Sequence, residues 1–157
     1  MLHRVQFKQM LWLLRHADAA GGSPDSERPL TDRGVHQAQA AGWALERLGV
    51  HLDVCLTSPR VRAQQTARIA CERLGVEVRL EPRLAGEPFD AHELAAGLGE
   101  VLLVGHDPSF SLTVHDLTGA QARMRKGGLA GIEKGELIVL LRPSELEAIA
   151  AGAVVPL

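Results

Sequence analysis

Three short apolar runs in this chain stop on polar residues, and segments with helical spacing separate them. MLWLL (Met10 to Leu14) ends on Arg15 and His16. DVCLTS (Asp53 to Ser58) closes on Thr57-Ser58-Pro59, with Arg60 and Arg62 in the turn that follows. VLLVG (Val101 to Gly105) closes on Gly105-His106-Asp107-Pro108. A short, continuous apolar run is what a strand buried on both faces shows. Charged groups at the mouth of such a strand cost free energy unless they are solvated, paired or used.

The intervening segments predict helices. Thr31 can cap a helix whose apolar members Val35, Ala38, Gly42, Leu45 and Leu48 recur at helical spacing, with Gly49 as its stop. Ser58 and Pro59, in the order of cap then proline, open a second helix that runs to Gly75. VEVRL (Val76 to Leu80) alternates and reads as a strand. Asp90 with Glu93 forms a capping-box-like pair at a short helix, and Asp107-Pro108 starts another that ends near Gly119. GGLAGIEKGELIVLLRP reads as a hairpin turning near Glu133 to Gly135. Strands alternating with helices predict an α/β layered domain around a mostly parallel sheet. At 157 residues, one domain over 1–157 is expected, with no internal repeat. The small apolar tail AIAAGAVVPL fits a short helix or a strand equally well.

Charge and composition remove several classes of function. There are 17 basic and 19 acidic residues, a formal net charge of −2. A nucleic-acid or acidic-membrane binder would show a basic excess. Only 3% of residues are aromatic and none is tyrosine, so base-stacking platforms are not expected. No apolar segment is long enough to span a membrane. His3, Arg4 and Lys8 before MLWLL mimic a signal peptide, but the apolar stretch is too short. A cytoplasmic protein with no nucleic-acid and no membrane partner is expected. Cys55 and Cys71 sit in apolar contexts and read as small buried hydrophobes.

In a parallel sheet the carboxyl ends of the strands share one edge, and ligands bind in the crevice there. Arg15, His16, His106 and one or both of Arg60 and Arg62 should therefore meet. Guanidinium forks match phosphate oxygens, and helix N-termini at Pro59 and Pro108 would add donors. A neutral histidine held by an acceptor is a nucleophile. No P-loop pattern is present. These residues point to phosphoryl transfer to His16 followed by hydrolysis. Residues two apart on a helix point in clearly different directions, so only one of Arg60 and Arg62 is expected to face the pocket well. Arg28 in ERPLTDRG is expected to pin its loop to the first helix rather than bind substrate. A metal-dependent hydrolase needs grouped carboxylates and histidines. The strand ends offer arginines instead, and His3, His36, His51, His92 and His115 lack a common spacing, so neither metal nor cofactor is expected.

LLRHADA, RPLTDRG, SPRVRAQQTA and LLVGHDPSF, in this order, resemble the histidine phosphatase (phosphoglycerate mutase-like) superfamily. The short chain resembles most its small SixA-type phosphohistidine phosphatase branch. The resemblance implies a three-layer α/β/α fold. It implies that His16 is the phosphorylated nucleophile, that Arg15 and Arg62 bind phosphate, and that His106 hydrogen-bonds the transferred phosphoryl group, with Ser58 assisting. It also implies a metal-independent phosphatase acting on phosphohistidine in a protein. The alternatives are a small-molecule phosphomonoesterase for sugar or nucleotide phosphates, or a phosphate-binding pseudoenzyme. Two departures stand out. Ala17 replaces a common glycine, and a positive φ there would strain it. The proton donor of larger members has no clear counterpart; Glu81, Glu87, Asp90 and Asp18 are candidates. Residues 81–100 and 119–128 leave little room for a lid over the site.

Overall fold

The computed structural model describes residues 9–152. Its centre is a six-stranded sheet: β1 (Leu11–Arg15), β2 (Val54–Thr57), β3 (Val78–Leu80), β4 (Val101–Gly105), β5 (Leu129–Glu133) and β6 (Glu136–Leu141). The spatial order is β3-β2-β4-β1-β5-β6. The pairs β3/β2, β2/β4 and β4/β1 are parallel, and the hairpin β5/β6 continues the sheet antiparallel from β1. The mostly parallel sheet expected from the sequence is present, and the hairpin turn falls between Glu133 and Glu136 as expected.

Strand alternation builds the layers. Trp12, Leu14, Cys55, Leu102, Val104 and Leu129 face one side. They pack on α1 (Asp32–Arg47), α2 (Val61–Leu74) and α5 (Pro143–Ala150) through Ala41, Leu45, Ala67, Ala70 and Leu146. Leu13, Val54, Leu56, Leu103 and Ala130 face the other side. There they meet α3 (Ala91–Ala95) and α4 (Ser109–Thr118) through Leu94, Phe110 and Val114. Each central strand is thus covered on both faces, which is why its sequence is a continuous apolar run. Cys55 and Cys71 are free and buried in the first of these layers.

Caps fix the helix ends. The Thr31 hydroxyl accepts from the Gly34 N–H at 3.0 Å, and the Asp90 carboxylate from the Glu93 N–H at 3.1 Å. Gly119 closes α4 at φ 75°, a left-handed position that glycine fills without strain. One start differs from expectation. α2 begins at Val61 with Arg60 as its cap residue, so Ser58 and Pro59 lie outside it. The Ser58 hydroxyl accepts from the Arg60 N–H at 3.2 Å and leads the chain into the helix two residues later than predicted. Of the C-terminal tail, Ala148 to Ala150 belong to α5, and residues 153–157 lie outside the described residues, as does the cationic segment at His3, Arg4 and Lys8. Among the described residues, no helix is long and apolar enough to cross a membrane.

Candidate active site

Register sets the site. In the parallel pair β1/β4, Arg15 lies opposite Gly105, and the ladder runs one residue further as the His16 N–H donates to the Gly105 carbonyl at 2.9 Å. His16 and His106 therefore leave the sheet side by side, with ring centroids 5.2 Å apart. β2 reaches the same edge, where the Ser58 N–H donates to the Val104 carbonyl at 2.9 Å. The Ser58 hydroxyl then lies 2.8 Å from Nε2 of His106.

These side chains line a cavity of about 280 Å³. Its walls carry the guanidiniums of Arg15, Arg28, Arg60 and Arg62, the two imidazoles and Lys126; Ala85, Gly86 and Asp107 complete it. The cavity is an anion site by charge. Nε of Arg15 and Nε of Arg62 are buried with no hydrogen-bond partner among the described residues. Unused donors on two cavity-lining guanidiniums suit an oxyanion bound between them. Helix termini contribute less than expected. Asp107 itself accepts from the Ser111 N–H in the first turn of α4, at 2.9 Å, so the positive charge rests on the arginines.

His16 is oriented by its own backbone. Nδ1 of His16 lies 2.8 Å from the Ala17 carbonyl, which can only accept, so Nδ1 carries the proton and Nε2 keeps its lone pair. Burial lowers the His16 pKa to about 4, against the opposing Ala17 hydrogen bond, and Arg62 and Arg15 add to the depression. Burial likewise lowers His106 to about 3, with His16 and Arg62 acting in the same direction. Both imidazoles are neutral at pH 7. Ala17 fits its place: it is fully buried, and it is not among the described non-glycine residues with positive φ. Its N–H donates to the Thr66 hydroxyl at 3.0 Å, and that hydroxyl donates to the Arg62 carbonyl at 2.7 Å. Thr66 thus ties the segment after His16 to the helix that carries Arg62.

Three residues depart from the sequence reading, one missed and two read differently. The first is Asp25, in the loop between β1 and α1. Its carboxylate binds Arg28 at 2.9 Å, Arg62 at 3.2 Å, and Arg60. The Arg28 hydrogen bond, with Arg62 behind it, holds the Asp25 carboxyl below the usual carboxylate range. The second is Arg60. It lines the cavity together with Arg62, contrary to the helical-wheel expectation, because as the cap residue it has extended backbone (φ −64°, ψ 137°) and lies off the helix. Its side chain is 33% exposed against 7% for Arg62. The third is Arg28, whose contacts, Asp25 and the Ala20 carbonyl at 3.1 Å, lie within its own loop rather than on the first helix, and which also lines the cavity.

The acid candidates lie elsewhere. Glu81 accepts from Arg83 at 2.7 Å, and that hydrogen bond lowers its pKa. Asp18 accepts from the Thr31 hydroxyl at 2.7 Å, and Asp90 caps α3. Neither these three nor Glu87 lines the cavity. Among the described residues no group of three or more His, Cys, Asp or Glu is placed to hold a metal ion.

A covered, mostly parallel sheet with two neutral histidines and four guanidiniums at its carboxyl edge defines a phosphoryl-transfer class of site. Residues 11–95 match the model of the histidine phosphatase superfamily (branch 1), and the chain belongs to that superfamily, whose members are phosphatases or mutases. It is 34% identical over 140 residues, 80% of this chain and 85% of the other, to an uncharacterized protein of Picosynechococcus sp.. It is 40% identical over 76 residues to the 2,3-bisphosphoglycerate-dependent phosphoglycerate mutase of Methylobacterium radiotolerans, a match that spans 48% of this chain and 34% of the mutase. Among solved structures, one assigned as the phosphohistidine phosphatase SixA from Agrobacterium tumefaciens superposes with a TM-score of 0.76 at 26% identity, covering 88% of this chain and all of the other.

Proposed function

We propose that this protein is a metal-independent phosphatase that removes phosphate from phosphohistidine in a partner protein. One observation carries the reading: a buried, neutral His16 with its Nδ1 proton committed to Ala17 sits in a cavity of four guanidiniums. In the proposed reaction, Nε2 of His16 attacks phosphorus as the P–N bond to the partner's imidazole breaks; that ring, protonated on its other nitrogen, leaves as neutral imidazole and phospho-His16 forms with its Nδ1 proton in place. Water then attacks that phosphorus, the P–N bond breaks, and inorganic phosphate leaves with His16 neutral again. Arg15 and Arg62 meet the charge that spreads over the phosphoryl oxygens, and His106, with Ser58 beside it, binds the transferred group. Guanidiniums do here the work a divalent ion does in other phosphoryl transferases. An imidazole leaving group needs less protonation than an alkoxide, which suits a cavity with no candidate acid of the expected set. The short links 81–90 and 119–128 favour a bulky, protein-borne phosphoryl group over an enclosed small one.

The mutase match over 76 residues favours a second reading, a small-molecule phosphomonoesterase or mutase. A turnover screen separates the two. We expect higher kcat/KM on a phosphohistidine peptide than on 3-phosphoglycerate, sugar phosphates or nucleotides, and no mutase activity. A kcat/KM about tenfold higher on any of the small phosphates would install the second reading.

A further inference from the structure

The loop between α4 and β5 holds three exposed cations in four residues, Arg123, Arg125 and Lys126, around a buried Met124. Lys126 lines the catalytic cavity. Arg123 and Arg125 line a neighbouring groove of about 240 Å³ together with the ion pair of Arg142 and Glu145, over a floor that includes Leu140 and Leu141. Lys126 in the cavity is thus continued by Arg125 and Arg123 into the groove.

The loop is held rigidly against the site. The Met124 carbonyl accepts from Arg15 at 2.9 Å, and the Met124 N–H donates to the Ser111 hydroxyl at 2.9 Å. The Gly127 N–H reaches the carbonyls of Arg15 at 3.1 Å and His16 at 2.9 Å. Other arginines are answered by carboxylates: Arg73 by Glu46, Arg79 by Glu77, Arg83 by Glu81, Arg142 by Glu145. Among the described residues Arg123 and Arg125 have no ion pair, and their charges add to the burial that chiefly lowers the proton affinity of Arg15, against Asp107. Holding like charges together beside a basic cavity is unfavourable in the free protein, and it occurs in a chain whose net charge is −2. Charge of the opposite sign on a ligand relieves it.

We propose that Arg123 and Arg125 form a docking ridge for acidic side chains that flank the phosphorylated residue of the partner protein. The proposal deepens the phosphoprotein reading above and rests on it for the phosphoryl group. The ridge has the properties docking requires. It is exposed, pre-ordered by the Met124 anchor, and adjacent to the nucleophile, so its contacts would speed encounter and lower KM with little effect on the chemical step.

The test uses two synthetic phosphohistidine peptides, identical except that glutamates or glutamines flank the phosphohistidine, with phosphoramidate as a small control. At low salt the protein should prefer the glutamate peptide about tenfold in kcat/KM, mainly through KM, and the preference should shrink at high salt. In R123E/R125E the preference should vanish or reverse, and in R123Q/R125Q it should weaken, while turnover of phosphoramidate stays unchanged. Equal kcat/KM for the two peptides, or the same preference in both variants, overturns the ridge. Binding of the unphosphorylated glutamate peptide, followed by fluorescence anisotropy, is read independently of turnover. If neither phosphopeptide is hydrolysed but anisotropy still depends on Arg123 and Arg125, the ridge stands and the phosphohistidine reading falls. Binding of anionic phospholipid vesicles through these arginines with none of the acidic peptide would overturn the ridge in favour of a membrane surface.

Discussion

His16 can attack phosphorus only as a neutral imidazole, and its burial sets the pH range in which it is neutral. An unperturbed histidine titrates near 6.5, whereas His16 titrates at about 4 and His106 at about 3. Neither resonance should therefore move between pH 7 and 5 in a histidine-labelled NMR titration; a midpoint near 6.5 for His16 would contradict the depression. The same shifts affect stability. The unfolded chain takes up these protons first, so stability is complete above the unfolded value and is lost as pH falls from about 6.5 toward the folded values. The guanidiniums divide by burial. Arg62 is the more enclosed, so Arg62→Ala should lower kcat/KM by about a hundredfold or more. Arg60 is more exposed yet lines the cavity, so Arg60→Ala should cost about tenfold, less than Arg62 and more than a surface arginine. A larger loss at Arg60 would mean the phosphate lies nearer the loop than the sheet. Asp25 is an anion already seated among Arg28, Arg60 and Arg62. A bound phosphate must share those donors with it. Asp25→Asn keeps the shape and removes the charge, so inorganic phosphate should inhibit the variant at roughly threefold lower concentration or better. Weaker inhibition would show that Asp25 chiefly aligns the arginines.

At the scale of elements, the site depends on how closely the segment after β1 rests on α1. A Cβ built on Gly34 would stand 2.0 Å from the Asp18 carbonyl oxygen, too near for either backbone to stay in place. Inside an exposed helix, Gly→Ala is normally stabilising by roughly 1 kcal/mol. Here the clash reverses the sign, and Gly34→Ala should destabilise by about 3 kcal/mol and lower Tm by about 6 °C or more. A thermal melt that rises instead would contradict the packing. Such contacts mark where sequence reading succeeds and where it stops. The strands were legible because burial on both faces demands continuous apolar runs, and the parallel order then brings Arg15, His16, Ser58 and His106 to one edge. Thr31 and Asp90 were legible because caps act within three residues. Asp25 was not, since it meets Arg60 and Arg62 across 35 and 37 residues, and no local spacing encodes such a contact. Arg60 was misread because its direction depends on where α2 starts, a matter of two residues. α5 was hidden by the hairpin pattern that runs into it through Arg142 and Pro143; its start is fixed by Glu145, which accepts from the Arg142 N–H at 2.9 Å.

At the scale of the whole molecule, opposed requirements are separated in space. The two faces of the sheet carry the apolar layers that hold the fold, and the polar chemistry is confined to one edge, where a strand ladder aligns the two histidines. The cations gather at that edge although the chain as a whole is slightly acidic. This arrangement puts His16 at the centre of the proposed chemistry, in which the phosphate passes through its Nε2. The most direct measurement is to quench turnover of a phosphohistidine peptide within milliseconds, in chelator and without acid, and to map the phosphate by mass spectrometry. Phosphate is expected on His16, formed at full rate without a divalent ion, absent in His16→Ala and accumulating in a variant slowed at the water step. Phosphate found on a serine, full activity in His16→Ala, or an intermediate that forms only when a metal is returned would contradict it.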